Sequence, residues 1–193
     1  QVVDELIRRG HQVTWTVHGT GEYEAEMRKI IQARKLEGVI TLAGPMPYKQ
    51  CRRMLAEAYV FVGMGTSIVE ASLFGVPNVL ALAYDHAGMT YGPLYRLPLG
   101  SVGDVRRESP TLKVVDEIER ILKLSPAEYA QEAERVYQYA QPYESEMSMR
   151  RFVEIMEAAP WPQQRFGPIL ENYLLGVRRR LVRCLRKWRG SKS

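Results

Sequence analysis

The sequence predicts an α/β fold: a parallel sheet covered by helices on both faces. Three observations predict it. Short runs of β-branched and apolar residues ("VTWTV", "GVITLAG", "YVFVG", "NVLALA") alternate with helical patterns through the first half of the chain. The turns between them are short and carry Gly or Pro. The last three runs are nearly continuous in apolar residues, as strands buried on both faces are.

Each element has its own signal. "QVVDELIRRG" reads as the end of a helix with Val3, Leu6 and Ile7 on one face and Gly10 as a left-handed stop. "HQVTWTVHG" alternates Val13, Trp15 and Val17 against Thr14 and Thr16, a strand. "GTGEYEAEMRKIIQARKL" is a glycine turn and then a helix, with Met27, Ile30 and Ile31 expected in the core. "GVITLAG" reads as a short buried strand, Pro45 and Pro47 punctuate, and "YKQCRRMLAEA" is an amphipathic helix. "YVFVG", "TSIVEASLF" and "NVLALA" follow as strand, helix and strand. After Ala83, "YDHAGMTYGPLYRLPLGSVGDV" is rich in Gly, Pro and Tyr and reads as a long loop with at most one short strand. "TLKVVDEIERILKL", "SPAEYAQEAERVYQYAQPY" and "SEMSMRRFVEIMEAA" are helices. The middle one opens with a capping box: Ser125 as N-cap, Pro126 at the first position and Glu128 three residues after the cap.

Composition bounds the function. The chain has 193 residues, 46% hydrophobic and 25% charged, as in ordinary globular proteins. It begins at Gln1 without a methionine and reads as a fragment. Two cysteines, Cys51 and Cys184, stand far apart, which fits a reducing, cytoplasmic setting and no disulfide framework. The net charge of +5 is uneven: eight of the 27 basic residues lie at or beyond Arg178, and the remaining 19 face 22 acidic ones. The body is mildly acidic, so no basic face for nucleic acid is expected. The division expected is a domain over 1–160 and a basic amphipathic helix over 161–193. In the latter, Leu174, Val177, Leu181, Leu185 and Trp188 recur at helical spacing among Arg178, Arg179, Arg180, Arg183, Arg186, Lys187 and Arg189. Such a helix suits peripheral docking on an anionic membrane, or packing on a partner domain. The histidines His11, His18 and His86 have no metal-ligand spacing, and no metal is expected.

The chemistry concentrates in "VGMGTSIVEASLFGVP", residues 62–77. Gly63 and Gly65 flank Met64 where a strand turns into a helix. A helix start offers unpaired N–H groups and about half a positive charge. Thr66 or Ser67 would cap the helix and meet a phosphate oxygen. Glu70, a turn further in, would accept two hydrogen bonds from vicinal hydroxyls such as those of a ribose. Glycine at a strand end is also plain turn chemistry, and a glutamate near a helix start is also a dipole partner; the spacing alone leaves both readings open.

The stretch "AEAYVFVGMGTSIVEASLFGVPNVLALA", with its pattern G-x-G-T-x-x-x-E-A-x-x-x-G-x-P before an apolar strand, resembles the donor-binding half of GT-B-fold glycosyltransferases of the family-4 type. The resemblance runs over about residues 1–157. It implies a Rossmann-like parallel sheet, one half of a GT-B fold, that binds a nucleotide-diphosphate sugar as donor substrate, with no tightly bound cofactor. It places Glu70 on the donor ribose, and Gly65, Thr66, Ser67 and Ile68 on the diphosphate, with Gly63 and Met64 leading into that turn. Gly44, Pro45 and Met46 would contact the base, and Gly19 and Gly21 would lie at the same edge. Thr90 would touch the donor. His86 and Arg96 are the catalytic candidates, Arg96 as a replacement cation for the diphosphate.

The departures are specific. Many retaining relatives carry a second glutamate eight residues before the first, where this chain has Val62. The frequent acidic residue before the "VFV" strand is Tyr59 here. The first strand of the donor domain, and the acceptor domain, would lie upstream of Gln1. Transfer to a glycan or lipid-linked acceptor is therefore expected to need an N-terminal acceptor domain or a partner subunit. Two other functions remain: a non-catalytic nucleotide-sugar-binding or membrane-docking subunit of a split transferase, and a sugar-nucleotide epimerase of the same fold.

Overall fold

In the computed structural model, which describes residues 1–103 and 109–158, the first helix ends as its glycine predicts. Helix α1 (Val2–Arg8) is closed by Gly10 at φ +87°, and the Gly10 and His11 amides donate to the Ile7 and Leu6 carbonyls. That pair of bonds needs a left-handed residue, which costs glycine little. Helix α4 (Thr66–Leu73) stops the same way through Gly75 at φ +67°. Helix α2 (Glu24–Ala33) does so through Lys35 at φ +54°, where a Cβ is crowded. Lys35→Gly is therefore expected to raise stability by about 1 kcal/mol, seen as a higher urea midpoint at unchanged slope. A midpoint at or below the wild-type value would contradict it.

The described part is mixed α/β. Strand β1 (Trp15–His18) pairs in parallel with β2 (Ile40–Gly44), and β3 (Phe61–Gly63) pairs in parallel with β4 (Asn78–Leu80). A two-residue antiparallel pair, β5 (Met89–Thr90) with β6 (Leu112–Lys113), ties the long loop to the start of α5 (Val114–Leu122). Helices α3 (Tyr48–Glu57), α6 (Pro126–Ala140) and α7 (Ser145–Ala158) complete the regular elements, with 3-10 turns at Leu94–Arg96 and Gln141–Tyr143. The chain divides into two units, Gln1–Arg151 and Phe152–Ser193. Of the second, only the end of α7 is described. The basic residues Arg178, Arg179, Arg180, Arg183, Arg186, Lys187, Trp188 and Arg189 with their proposed membrane role lie outside the described residues.

Strand alternation decides which helix each side chain meets. On β3 and β4, Val62 and Val79 turn toward α1 and α5, joining Leu6, Val115, Ile118 and Ile121. Leu80 turns the other way to Ile68 and Val69 of α4 and Tyr139 of α6, while Phe61 also meets Leu55 of α3. This pair is covered on both faces. On β1 and β2, Trp15, Ile40 and Leu42 meet Val3 of α1 and Ile31 of α2, while Thr16, His18, Thr41 and Ala43 stay exposed. The expectation that "GVITLAG" is fully buried is corrected: α3 packs on α4 and β3 instead, so one face of β2 meets no described helix. Ile30 is also not core but 43% exposed, because Ile31 takes the inward position on α2.

Electrostatics ties the chain's beginning to its second half. The Arg9 guanidinium donates to Asp116 at 2.8 Å and Glu119 at 2.6 Å on α5, and His11 Nε2 lies 3.1 Å from Glu119. Hydrogen bonds from Lys123, His11 and Arg9 hold the Glu119 carboxyl down at about 2. Its folded pKa lies below its unfolded value of about 4.3, so its contribution is present above that value and is lost as pH falls toward 2. Glu119→Gln is expected to flatten the acid side of the melting-temperature profile between about pH 4.5 and 2. Identical acid slopes by scanning calorimetry would contradict it. At α6 the capping box forms as expected: the Ser125 amide donates to Glu128 at 2.8 Å, and Ser125 Oγ accepts the Glu128 amide at 3.4 Å. Tyr59 stacks on Tyr129 with ring centroids 4.4 Å apart, and Tyr129 Oη donates to the Tyr59 carbonyl at 2.8 Å.

Candidate functional site

The turn from β3 into α4 is shaped by its two glycines. Gly65 is the N-cap, at φ +65° and ψ −144°, a backbone region that is essentially glycine's own. A Cβ on Gly63 would stand 2.5 Å from the Phe61 ring and 3.2 Å from Ser67 Oγ, so the chain there admits no side chain without rearrangement. The turn is fixed from both sides. The Gly65 amide donates to the Val102 carbonyl at 2.9 Å, and the Gly63 carbonyl accepts from the Ala81 amide at 2.8 Å.

The expected side-chain cap is absent. Ser67 Oγ donates to the Met64 carbonyl at 2.7 Å, so it braces the turn rather than accepting from an α4 amide, and no side chain caps α4. The amides of Thr66, Ser67 and Ile68 open the helix without a partner from the preceding turn of helix. Sequence reasoning gave the cap to Thr66 or Ser67 because these residues favour that role; the glycine conformation at 65 moved the cap back by one.

Helix α4 sorts its residues cleanly. Ile68, Val69, Ala71 and Ser72 are buried, Thr66 and Ser67 are exposed, and Glu70 lies between these extremes. Thr66 and Glu70 are four residues apart and Ser67 and Glu70 three, so hydroxyls and carboxylate share one face. Among the described residues, none donates a hydrogen bond to the Glu70 carboxylate or forms an ion pair with it, whereas Glu57 on α3 and Glu132 on α6, the helices packed on α4, are both paired. A half-buried carboxylate beside a set of open amides is suited to a ligand that carries both hydroxyls and negative charge.

The second glycine group lies at the carboxyl ends of β1 and β2. The Gly19 amide donates to the Gly44 carbonyl at 2.8 Å, with Gly19 at φ +126° and Gly44 at φ +70°. The structure thus brings the Gly19–Gly21 turn and the Gly44–Pro45–Met46 turn together. Both glycine groups sit at the carboxyl ends of parallel strands, where α/β folds place ligands.

Three further residues fall differently. Thr90, expected to touch the donor, is fully buried: its hydroxyl donates to the Leu80 carbonyl at 2.7 Å and accepts from the Gly92 amide at 2.9 Å, so its side chain is engaged within the fold. Arg96 is exposed and its guanidinium lies 3.9 Å from Glu117, against Gly92. His86, the other catalytic candidate, lies in a concave setting. It lines a cleft of about 540 Å³ with Tyr23, Glu26, Met27, Ile30, Tyr84 and Asp85. Tyr84 holds φ +58° and is 91% exposed at its rim, and Asp85 fixes the loop by accepting the Met89 amide at 2.7 Å.

Sequence reasoning overlooked Asn78. Its amide donates to Ser72 Oγ at 2.9 Å and the Val76 carbonyl at 3.2 Å, and its oxygen accepts from the Leu94 amide at 3.0 Å. Asn78 is fully buried and joins α4, β4 and the long loop. A signal was present: an asparagine opening an otherwise apolar strand, directly after Gly-x-Pro.

No family model matches the chain, and no curated protein matches it.

Proposed function

We propose that the chain is the donor-binding portion of a GT-B-type glycosyltransferase. It binds a nucleotide-diphosphate sugar for transfer to a glycan or lipid-linked acceptor. One observation carries the reading: the start of α4, whose amides no side chain caps, is followed one turn on by the Glu70 carboxylate, which has no partner among the described residues. The amides serve the diphosphate, and Glu70 serves the two ribose hydroxyls. The two parallel strand pairs are read as parts of one Rossmann-like sheet, with the Gly19 and Gly44 turns at the base end of the cleft. With Val62 where a second carboxylate would help hold the sugar, recognition rests on the nucleotide. Acceptor binding and neutralisation of the leaving diphosphate are assigned to an N-terminal acceptor domain or partner subunit. No tightly bound cofactor and no nucleic acid enters the scheme. The basic tail is assigned to peripheral docking in the cytoplasm; among the described residues no helix is long and apolar enough to cross a membrane.

Calorimetric titration of the 193-residue chain with uridine, guanosine and adenosine diphosphates tests the assignment. One of them is expected to bind, and the matching nucleoside without phosphate to bind far more weakly. If none of the three binds, the nucleotide reading falls.

A further inference from the structure

Helix α3 carries its charges in the order that its dipole disfavours. A helix start is stabilised by acidic side chains and a helix end by basic ones. Helices α1, α2, α5, α6 and α7 each hold at least one carboxylate in the first turn. Helix α3 reverses the order. Its first turn holds Lys49 and no carboxylate, Arg52 and Arg53 follow, and Glu57, its one carboxylate, is its last residue. A local rule broken on an exposed helix points to a use outside the fold.

The fold does not neutralise these cations. Leu55 packs α3 on Ala71 and Val76, with Met54 and Ala58 beside it. Helical spacing then turns Lys49, Arg52 and Arg53 away from that contact, and all three are exposed. Among the described residues, Lys49 and Arg52 meet no carboxylate, and Arg53 pairs only with Glu57, four residues on, with both side chains open to solvent. Arg9, Arg34 and Arg120, by contrast, are held by carboxylates of other elements. Two aromatic rings flank the cations. Tyr48, four residues before Arg52, is 76% exposed, and the Arg52 guanidinium stands 5.8 Å above the ring of Phe74, itself 45% exposed. Residues 1–177 carry more acidic than basic side chains, so the face is locally positive on a negative body.

We propose that this face of α3, with Tyr48, Lys49, Arg52, Arg53 and Phe74, docks on an anionic phospholipid surface. The chemistry matches that partner. Unpaired cations are stabilised by headgroup phosphates, arginine through two parallel hydrogen bonds and lysine as a point charge. Exposed rings beside them suit the boundary between headgroups and acyl chains, where the aliphatic stems of lysine and arginine also lie. Headgroup phosphates near the start of α3 supply the negative charge that its first turn lacks. Only Pro47 separates the helix from the Gly44–Pro45–Met46 turn, so docking brings that edge of the candidate site to the lipid, where a lipid-linked acceptor would be met. That consequence rests on the glycosyltransferase reading; the docking does not.

Sedimentation of the 193-residue chain with lipid vesicles tests it. The vesicles are phosphatidylcholine alone, and equal parts of phosphatidylcholine and phosphatidylglycerol. The chain is expected to pellet with the mixed vesicles and not with the neutral ones. The double variant Lys49→Ala, Arg52→Ala is expected to lower the partition coefficient about 25-fold, at about fivefold for each charge, with its melting temperature nearly unchanged. The control Lys29→Ala, Lys35→Ala removes the same charge from exposed positions on and just after α2 and is expected to lower it by less than about twofold. The basic residues from Arg178 onward are present in all three proteins, so their contribution is common to them. Equal losses in the two double variants, or no loss in either, would overturn the proposal; that is the outcome expected if α3 faces an acidic protein instead. Equal binding to neutral and anionic vesicles would overturn it too. No nucleotide is present, so failure of the nucleotide titration leaves this result standing.

Discussion

The Glu70→Ala protein is expected to bind the preferred nucleoside diphosphate about tenfold to a hundredfold more weakly than the wild type, with its melting temperature nearly unchanged. Hydrogen bonds to a charged acceptor contribute about 1.5–3 kcal/mol, which is that range in affinity. The stability is spared because no described residue depends on the carboxylate: its neighbours Ile68, Val69 and Ala71 pack without it. Glu70→Gln keeps one acceptor oxygen and is expected to fall between the two. The 2′-deoxy form of the same nucleotide separates ribose recognition from general electrostatics. It is expected to bind the wild type more weakly than the ribose form does, and the difference is expected to vanish in Glu70→Ala. If both proteins discriminate the two sugars equally, Glu70 does not read the ribose.

Asn78→Ala is expected to be the most destabilising single change at the site, by about 3 kcal/mol, through a different cause. The Leu94 amide loses its acceptor, and the Ser72 hydroxyl and Val76 carbonyl lose a donor, all in a buried setting. Each unsatisfied buried group costs roughly 1–3 kcal/mol, reduced where water or small shifts recover a partner. For a domain of this size that corresponds to a fall in melting temperature of about 6–12 °C. Asn78→Asp is expected to be worse, since a carboxylate cannot donate to Ser72 or Val76 and introduces buried charge. Chemical denaturation reads the loss; a change under about 1 kcal/mol would mean that the loop does not depend on this side chain.

What the sequence carries well is local. Gly10 and Gly75 end their helices as their type dictates, and Ser125 with Glu128 forms its box, because each depends on residues within one turn. Lys35 was not legible as a left-handed stop, since nothing in a lysine announces that conformation. The site is legible in part. The helix start with Glu70 follows from the Gly-x-Gly spacing, but the capping role of Ser67 does not, because whether a hydroxyl donates or accepts depends on the shape of the preceding turn. Thr90 shows the larger limit. In a loop rich in Gly, Pro and Tyr it looks available to a ligand, yet the Leu80 carbonyl, ten residues earlier, claims its hydroxyl. Ile30 and Ile31 illustrate the same point in packing: both are apolar and adjacent, and only the position of α1 decides which of them is buried.

The Arg9 clasp has a consequence for synthesis on the ribosome. Its two carboxylate partners on α5 lie 107 and 110 residues further along the chain. At about 5–20 residues per second, the first helix and strand wait on the order of ten seconds before α5 exists to receive them. Through that interval Leu6 and Trp15 have no α5 to pack against. Slower translation between β1 and α5 would lengthen that exposure.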